Sequence, residues 1–297
     1  MIQAHHFHFI DQPELQAEYA SFGFEEERRA NVETIEVEEM HTYTGFHDRS
    51  VLMYLSARAC YYLANIPFEK LSKENDWGLE VIDVLTLVWE GRNKRIIYGR
   101  GKNFTPELLR FWIFHTFFPL VLELRREYKM LHVGAVEIDG GPVFFSAPSY
   151  GGKSTMTDYF IQKGHTLYAD DTLPVRKENG HYMAYPSFPY HRPYRQPETL
   201  GYRVDNFAKG PAPLKALFEL ESVPADAKVE IVAPTGIERF KSCFYSTFIK
   251  FSFMKKERFD FFTKMALEVP VFKVTVPWDL ERLDEVYEAI VTKTKEL

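Results

Sequence analysis

Cysteine is scarce in this sequence, and no long hydrophobic run is present. The 297 residues include two cysteines, Cys60 and Cys243, which lie far apart and match no metal-ligand spacing. This usage is typical of a reducing compartment and excludes a disulfide framework. The most apolar stretch, residues 111–124, is interrupted by Pro119, and it is shorter than the roughly 18 residues that a membrane-spanning helix needs. We therefore expect no membrane partner.

Positive charge is also in deficit. The net charge of −6 gives no overall attraction to nucleic acid, so we expect no nucleic-acid partner. The first residues, MIQAHHFHFIDQ, lack the basic region followed by an apolar run that an export signal needs, and we expect a cytoplasmic protein. A hydrophobic content of 45% is enough for one large core or two moderate ones. Both a monomer and a homo-oligomer are compatible with the sequence.

The first third of the chain favours strands over helices. Apolar and polar residues alternate around positions 7–9 and 35–37, and VLTLVW is followed by the turn EGRNK and a returning strand, RIIY. We predict a strand-rich N-terminal domain over residues 1–104. His6 and His8 share one face of a predicted strand. Because no carboxylate or cysteine lies beside them in the sequence, we interpret them as part of a surface edge strand rather than as a metal site.

A helix is predicted to begin the second domain. Thr105 provides an N-cap hydroxyl, Pro106 occupies the first helical position and Glu107 places a carboxylate in the first turn. Apolar residues then occur on nearly every side of the helix as far as about residue 128, which predicts a buried helix with a kink near Pro119. We place the second domain over residues 105–297.

The strongest motif is APSYGGKS at residues 147–154. It fits the phosphate-loop pattern of a glycine, four further residues and Gly-Lys-Ser, except that the first glycine is replaced by Ala147. The apolar residues VFF before it predict a buried strand, and residues 155–163 after it have helical spacing closed by Gly164. In this order of strand, loop and helix, backbone N–H groups and a helix N-terminus face the phosphates of a nucleotide.

In this interpretation, Lys153 reaches the β and γ phosphates of ATP, and the Ser154 hydroxyl is a ligand of Mg²⁺. We expect Lys153 to lie at a solvent-open ligand site rather than in the core. The competing interpretation is a glycine turn with a solvated lysine, which the flanking strand and helix disfavour.

A pair of aspartates follows the next predicted strand. The strand TLYA, at residues 166–169, leads directly into Asp170 and Asp171. Ligands gather at the carboxyl ends of strands in open α/β sheets, so we expect both acids beside the phosphate loop. The alternative is that they form an ordinary turn, in which paired aspartates are common.

A basic, aromatic segment follows at residues 185–203, YPSFPYHRPYRQPETLGYR. It contains too many prolines for a helix or a central strand, so we predict an irregular surface segment. Its basic residues, which include His191, Arg192 and Arg195, are interleaved with tyrosines, a pattern that suits an anionic substrate or a peptide chain. An ordinary ordered loop with solvated arginines explains the pattern equally well.

The remainder of the chain mixes strands and helices. LKALFEL, at residues 214–220, predicts a strand that places Glu219 and Glu221 on one face. Further predictions are an aromatic-rich helical region at 235–268, a final strand at 271–276 and a final amphipathic helix at 280–294.

Three motifs at mutually fitting spacing resemble one known family. They are LHVGAVEIDG, which contains His132, the phosphate loop APSYGGKST, and KGHTLYADD. Together they resemble the C-terminal catalytic domain of HPr kinase/phosphorylase and its shorter relatives, among them kinases found with lasso-peptide and other modified-peptide biosynthesis. The resemblance covers about residues 131–175. It implies an α/β (α+β overall) fold, in which an HPr-kinase-like phosphate-loop sheet with flanking helices follows the strand-rich region.

The resemblance also implies roles for individual residues. Asp170 takes the proton from a substrate serine, His132 lines the phosphate site and Asp171 is a Mg²⁺ ligand. A glutamate on a later strand also serves the metal. Glu219 and Glu221 both fit, and Glu221 is preferred because it ends the apolar run as it does in the shorter relatives. The implied nucleotide-binding residues are Ser149, Tyr150, Gly151, Gly152, Lys153, Ser154 and Thr155, with Ser154 also a metal ligand.

Three functions are compatible with these residues. The first is an ATP- and Mg²⁺-dependent kinase that phosphorylates a serine of a peptide or small protein, such as a ribosomally made precursor peptide, with Arg192 and Arg195 in contact with the substrate. The second is a kinase for a small hydroxylated metabolite. The third is a nucleotide-responsive binding protein without transfer. Lys153, Ser154 and the aspartate pair, all intact, argue against it, because a pure sensor needs no positioned base. ESVPADAKV lacks the glycine-rich signature of the bifunctional enzymes, which argues against reverse phosphorolysis and against HPr as the substrate.

Overall fold

The computed structural model describes residues 5–22, 32–40, 45–46, 48–55, 58–148, 151–193 and 197–297. The chain divides into two compact units. The N-terminal unit comprises Ile2–Tyr128 and Arg195–Leu200, and the C-terminal unit comprises Lys129–Tyr194 and Gly201–Leu297. Both units mix strands with helices, which confirms the predicted α/β class. In the described part of the chain, no helix has both the length and the apolar character that a membrane crossing demands.

The N-terminal unit is built on one sheet. Its strands within the described residues are β1 (His5–Phe9), β2 (Glu33–Glu39), β3 (Asp48–Leu55), β4 (Arg58–Ala64), β5 (Trp77–Val81), β6 (Leu85–Glu90) and β7 (Arg95–Arg100). Their order across the sheet is β1-β2-β7-β6-β5-β4-β3. The pairs β1–β2 and β2–β7 are parallel, and the pairs from β7 to β3 are antiparallel. The alternation in the sequence therefore corresponds to strands.

Helical segments complete this unit. They are α1 (Pro13–Ala20), α2 (Pro106–Phe111) and α3 (Phe118–Leu124), with a π-helical turn at Trp112–Phe117 and a 3₁₀ turn at Phe68–Lys70. The Thr105 hydroxyl accepts a hydrogen bond from the Leu108 N–H at 3.2 Å, as predicted for an N-cap. The single helix predicted to run to about residue 128 is therefore interrupted. Because Pro119 has no N–H to donate, the hydrogen bonding changes register just before it.

The boundary between the units lies after these helices, between Tyr128 and Lys129, whereas the sequence predicts it before them, at residues 104–105. Packing explains the difference. The ring of Phe114 meets that of Phe7 edge-on with 5.1 Å between the ring centroids, and 4.9 Å separates the centroids of Phe117 and Trp77. All four side chains are buried. The apolar residues that appear to begin a second domain thus belong to the core of the first.

The described strands of the C-terminal unit form three sheets. The strands are β8 (Lys129–Leu131), β9 (Gly134–Ile138), β10 (Gly141–Ser146), β11 (Leu167–Ala169), β12 (Leu173–Glu178), β13 (His181–Ala184), β14 (Tyr190–His191), β15 (Tyr202–Arg203), β16 (Ala212–Pro213), β17 (Ala216–Val223), β18 (Ile231–Val232) and β19 (Val271–Pro277). A six-stranded sheet has the order β11-β9-β10-β17-β19-β18, a four-stranded sheet the order β16-β13-β12-β8, and β14 pairs with β15.

Helices pack on both faces of the six-stranded sheet. They are α4 (Lys153–Gln162), α5 (Gly236–Phe244), α6 (Lys255–Glu268) and α7 (Leu283–Lys295), with 3₁₀ turns at Ser252–Met254 and Leu280–Arg282. On one face, Phe160 of α4 and Ile290 of α7 are buried in the same core as Phe145 of β10. On the other face, Cys243 of α5 and Phe262 of α6 are buried with Phe144. Neighbouring residues of β10 thus point into two cores, which explains its continuous apolar run.

The strand directions determine where the motifs lie. β10 and β17 are parallel, while β9 is antiparallel to both β10 and β11. β10, β11 and β17 therefore run in the same direction, and their carboxyl ends meet at one edge of the sheet. The phosphate-loop motif follows β10 and the aspartate pair follows β11. The structure thus places the two motifs at the same edge, as the sequence predicts.

Candidate functional site

The phosphate-loop motif forms a tight turn between β10 and α4. Gly152 has φ +84° and directly precedes the helix, a left-handed conformation that favours glycine. At Gly151, a Cβ would lie 2.9 Å from the Cβ of Ala147 and 3.0 Å from the Pro148 carbonyl oxygen. The two glycines are therefore required by the turn itself. Ser149 and Tyr150, which the sequence also assigns to the nucleotide, lie outside the described residues.

Lys153 is the first residue of α4, and its position differs from the sequence prediction. The residue is only 6% exposed rather than open to solvent. Its Nζ lies 3.3 Å from Nε2 of His132 and 3.8 Å from Oδ1 of Asp171. The ammonium group therefore points toward the edge of the sheet where β10 and β11 end. Its partner His132 follows β8 and its partner Asp171 follows β11.

His132 lies in the short connection between β8, a strand of the four-stranded sheet, and β9, a strand of the six-stranded sheet. Its side chain is 36% exposed, and Nδ1 lies 2.8 Å from the backbone carbonyl oxygen of Asp171. If Nδ1 carries the proton and donates to this carbonyl, Nε2 presents a lone pair to the ammonium group of Lys153. The histidine then orients the lysine and connects it to the turn that contains the aspartates.

The two aspartates diverge from one another. Asp171 has φ +71°, and its Oδ2 accepts a hydrogen bond from Nη2 of Arg192 at 2.8 Å. Asp170 is 3% exposed, and its Oδ2 accepts the backbone N–H of Arg192 at 2.8 Å. Oδ1 of Asp170 is buried and has no hydrogen-bond partner among the described residues. The pair therefore presents one carboxylate to Lys153 and directs the other into the interior.

The first turn of α4 supplies two more of the predicted side chains. Ser154 is partly buried and Thr155 is exposed. Thr157, one turn further along, is buried and donates its hydroxyl to the Lys153 carbonyl oxygen at 3.0 Å. Thr157 therefore belongs to the packing of the helix, whereas Ser154 and Thr155 remain accessible at its N-terminus.

The two glutamates of β17 differ in their surroundings. Glu219 lies opposite Ser146, the last residue of β10, in the parallel register. Its Oε2 accepts a hydrogen bond from Oγ of Ser242 at 2.5 Å and lies 3.7 Å from Nζ of Lys273. Glu221 is exposed. Glu219 is thus already bound to protein groups, whereas Glu221 is more accessible to a ligand near the edge.

Of the two predicted substrate-binding arginines, Arg192 is described by the structure and Arg195 lies outside the described residues. The guanidinium group of Arg192 binds Asp171, and its side chain is 15% exposed. It is therefore part of the acid pair's surroundings rather than a solvated surface group. His191, which the sequence places in the same surface segment, is completely buried.

Two residues near this edge escape prediction. Asp158 lies 3.4 Å from His191 through its Oδ1, and the same oxygen accepts a hydrogen bond from the Tyr202 hydroxyl at 2.7 Å. From the sequence, Asp158 is expected to be an exposed residue of a helix and Tyr202 to be part of a loop. No local pattern connects them with the motif, because only the fold brings α4 and β15 together.

These groups suit a phosphate chain with Mg²⁺. A glycine turn at a helix N-terminus provides backbone N–H donors, and Lys153 adds a positive charge. The Ser154 hydroxyl and the Asp171 carboxylate are oxygen ligands of the kind that Mg²⁺ prefers. Oδ1 of Asp170, a buried carboxylate oxygen with no partner among the residues that the structure describes, is available for a further hydrogen bond. The arrangement therefore offers donors, a positive charge and oxygen ligands of the kinds that the phosphates of a nucleotide with Mg²⁺ require.

Comparisons with known proteins gave likenesses among solved structures. No protein-family model matches the sequence, and no curated protein matches it. Among solved structures, the chain is similar to the Hpr(Ser) kinase/phosphatase from Coxiella burnetii. The two are 14% identical, the match covers 57% of this chain and 93% of that chain, and the TM-score is 0.34.

Proposed function

We propose that the protein is an ATP- and Mg²⁺-dependent phosphotransferase that transfers the γ-phosphoryl group to a serine hydroxyl of a peptide or small protein. The observation that carries the proposal is the position of Lys153. It begins the helix after a glycine turn, and its Nζ lies within 3.8 Å of Asp171, at the edge where two strands end. A lysine, a hydroxyl and an acid pair around a phosphate cradle are the parts that phosphoryl transfer needs.

The residues divide into a nucleotide-binding and a cation-binding group. The backbone N–H groups around Gly151 and Gly152 bind the phosphates, and Lys153 neutralises their charge. Asp171 and Ser154 hold the cation, with Glu221 as a further ligand. Bound Mg·ATP supplies the activated phosphoryl group and the charge that stabilises its transfer. His132 keeps the ammonium group of Lys153 directed toward the phosphates through its 3.3 Å contact.

Asp170 has the role of proton acceptor. A serine hydroxyl is a poor nucleophile at neutral pH, so a carboxylate within hydrogen-bond distance accelerates its attack. Oδ2 of Asp170 is occupied by the Arg192 N–H, whereas Oδ1 has no partner among the described residues. Oδ1 is therefore the atom that takes the proton. Arg192 lies beside it and contacts the acceptor, as does Arg195 in our proposal, and a ribosomally made precursor peptide is an acceptor of suitable chemistry.

One observation favours a second candidate, a nucleotide-responsive binding protein without transfer. Asp170 is 3% exposed, and Oδ1, which has no partner in the described part of the chain, does not reach the solvent. An acceptor hydroxyl approaches this oxygen only if the groups that cover it move. Catalytic hydrogen bonds often tighten only in the complex with substrate, so the burial is compatible with both candidates, and transfer itself must be measured.

The test compares two lysines at opposite ends of α4. In Lys153→Met, we expect the affinity for Mg·ATP, measured by calorimetry, to fall at least tenfold and the release of ADP to fall about 10²–10³-fold, because a preorganised positive charge is lost. The control is Lys163→Met. Lys163 pairs with Asp284 at 2.7 Å, away from the glycine turn, and its loss should change neither quantity.

Melting curves followed by circular dichroism check that both variants fold, which matters because Lys153 is nearly buried. Transfer is followed with γ-labelled ATP and a mixture of serine-containing peptides. Unchanged nucleotide affinity in a folded Lys153→Met variant contradicts the proposal. If the wild type binds Mg·ATP but neither labels a peptide nor releases ADP, the result supports the binding protein instead. ADP release that requires a small alcohol supports a metabolite kinase.

A further inference from the structure

The C-terminal unit contains a buried histidine to which the proposed transfer gives no role. His191 is the second residue of β14 and is 0% exposed. Its Nδ1 lies 3.0 Å from Oδ2 of Asp170, and its Nε2 lies 3.4 Å from Oδ1 of Asp158. Asp158 belongs to α4, the helix that begins with Lys153. The imidazole ring therefore lies between the acid that follows β11 and the helix that follows the glycine turn.

The surroundings keep the ring in this place. The Tyr202 ring meets it edge-on, with 5.6 Å between the centroids and an interplanar angle of 88°. The Tyr202 hydroxyl donates to Oδ1 of Asp158 at 2.7 Å. Although Tyr202 is 45% exposed, partial desolvation of its hydroxyl and this hydrogen bond raise its pKa, so the hydroxyl remains a donor at neutral pH. At Gly201, where φ is +86°, a Cβ would come within 2.0 Å of the His191 carbonyl oxygen, so this close approach requires glycine.

The charges around the ring explain what it does. A neutral imidazole donates from one nitrogen only, and its other nitrogen presents a lone pair. A ring with a proton on both nitrogens donates to both neighbours. Both ring nitrogens of His191 lie within ion-pair distance of a carboxylate, although their angles depart from those of a hydrogen bond. The ring therefore lies in place to link the two carboxylates, which belong to different elements of the unit.

We propose that His191 is a positioning residue for phosphoryl transfer, which ties Asp170 to α4. Asp158 and Lys153 lie on the same helix, so an anchor at Asp158 fixes the proton-accepting carboxylate relative to the lysine. This inference rests on the function proposed above. A purely structural histidine stabilises the fold without affecting one kinetic step, whereas a positioning residue affects turnover more than nucleotide binding.

The experiment replaces His191 by glutamine, a neutral residue that cannot donate to two opposite carboxylates in the same way. Turnover is measured as ADP release from Mg·ATP, and nucleotide affinity is measured by calorimetry with ADP. We expect turnover to fall about 10- to 100-fold, because a displacement of a reacting group by an ångström has an effect of that size. The affinity for ADP should change less than about threefold, since the glycine turn and Lys153 are intact.

Hydrogen exchange gives a measurement that does not depend on activity. The backbone N–H of Arg192 donates to Asp170 at 2.8 Å, so this amide should exchange faster in His191→Gln if the carboxylate is released. The control is His165→Gln. The ring of His165 is partly buried and lies 2.7 Å from the Glu137 carbonyl oxygen and 3.1 Å from the Tyr287 hydroxyl. Its replacement should leave turnover and the exchange of the Arg192 amide unchanged.

A double-variant cycle tests the connection itself. Asp158→Asn interrupts it at the other end, so adding this change to His191→Gln should cause little further loss of turnover if both act through Asp170. Additive losses overturn the inference. A His191→Gln variant whose turnover equals that of His165→Gln also overturns the inference, but that result leaves the proposed function intact. A wild type that neither binds ADP nor releases it from ATP overturns the proposed function itself.

If His191→Gln does not fold, Tyr202→Phe is the variant to measure. It should give a smaller loss of turnover with unchanged affinity for ADP, and unchanged turnover in that variant overturns the inference.

Discussion

Each unit of the molecule contains a cluster of ionisable side chains, and the two clusters differ in a way that separates a structural cluster from a candidate site. In the N-terminal unit, atoms of His5, Glu33 and Glu127 that are able to bind a metal all lie within 4.8 Å of one another. In the C-terminal unit, Lys153 and His132 meet Asp171 at the end of β11. By residue type alone, the N-terminal cluster is the more convincing metal site.

The difference lies in how the charges are satisfied. Glu33 accepts from Arg125 at 3.0 Å and contacts Lys94 at 2.6 Å, while Glu127 contacts Arg125 at 2.7 Å. Burial alone raises the pKa of Glu33, but the hydrogen bonds from Arg125 and Lys94 lower it below its usual value. Next to the C-terminal cluster, Asp170, the neighbour of Asp171 in the chain, keeps a buried oxygen without a partner among the described residues. The N-terminal cluster also has a buried nitrogen without a partner among the described residues, Nε of Arg125, so the site is recognised by an unsatisfied carboxylate oxygen, and less by the density of charged residues.

The largest expected effects come from the aspartate pair. Asp170→Asn should reduce transfer about 10²–10⁴-fold, because the amide cannot accept the proton from the hydroxyl. Its affinity for Mg·ATP should stay within a few-fold, since Oδ2 faces His191 and the Arg192 N–H rather than Lys153. Asp171→Asn should instead raise the Mg²⁺ concentration needed for half-maximal activity, because Asp171 lies beside Lys153.

A titration with Mg²⁺ distinguishes the two roles. Excess Mg²⁺ should restore much of the activity of Asp171→Asn and little of that of Asp170→Asn. The opposite pattern of rescue would mean that the two roles are reversed. Equal behaviour of the two variants would remove the distinction between an unsatisfied and a paired carboxylate, on which the comparison of the clusters depends.

A smaller effect is expected at Arg192. Its guanidinium group binds Oδ2 of Asp171 at 2.8 Å, so it competes with a cation for this carboxylate. Arg192→Ala should therefore lower the Mg²⁺ concentration needed for half-saturation by a few-fold and raise the KM of a peptide acceptor. The control is Arg203→Ala, an exposed residue of β15 whose Nε lies 3.5 Å from Asp205. A higher Mg²⁺ requirement in Arg192→Ala would indicate that the arginine orients Asp171 for the metal.

The parts of the site that the sequence predicts are those coded within one short stretch. The glycine turn, the start of α4 at Lys153 and the acids after β11 each follow from neighbouring residues and strand order. The burial of Lys153 was not predicted, because it depends on His132 and Asp171 from other elements. The surface position predicted for His191 is wrong for the same reason, since its partners are on α4 and after β11.

The fold follows the same rule. The alternation of the N-terminal region and the cap at Thr105 are local, and both correspond to the structure. The domain boundary is not local. An apolar helix is equally suited to either core, and the partner is decided by the sheet that offers complementary aromatic side chains, such as Phe7 and Trp77. The sequence therefore predicts elements well and the allocation of elements to units poorly.

The last prediction concerns Glu33 of the N-terminal cluster, where we expect an effect on stability and the smallest effect on the candidate site of the C-terminal unit. Glu33→Gln should reduce the free energy of unfolding by about 1–3 kcal/mol at pH 7, because it weakens hydrogen bonds to Arg125 and Lys94. The pKa of Glu33 is lowered from 4.5 in the folded protein. Its ionised form is therefore favoured by folding, and this contribution is present above pH 4.5 and is lost as the pH falls below that value.

The difference in unfolding free energy between the wild type and Glu33→Gln should accordingly shrink as denaturation is measured at decreasing pH below 4.5. Nucleotide affinity should remain unchanged at pH 7, because Glu33 belongs to the N-terminal unit and the glycine turn to the other. Addition of Zn²⁺ or of a chelator should leave the melting temperature unchanged, since Arg125 and Lys94 already neutralise the carboxylates. If Zn²⁺ raises the melting temperature of the wild type but not of His5→Ala, the N-terminal cluster binds metal, and paired charges no longer distinguish a structural cluster from a site.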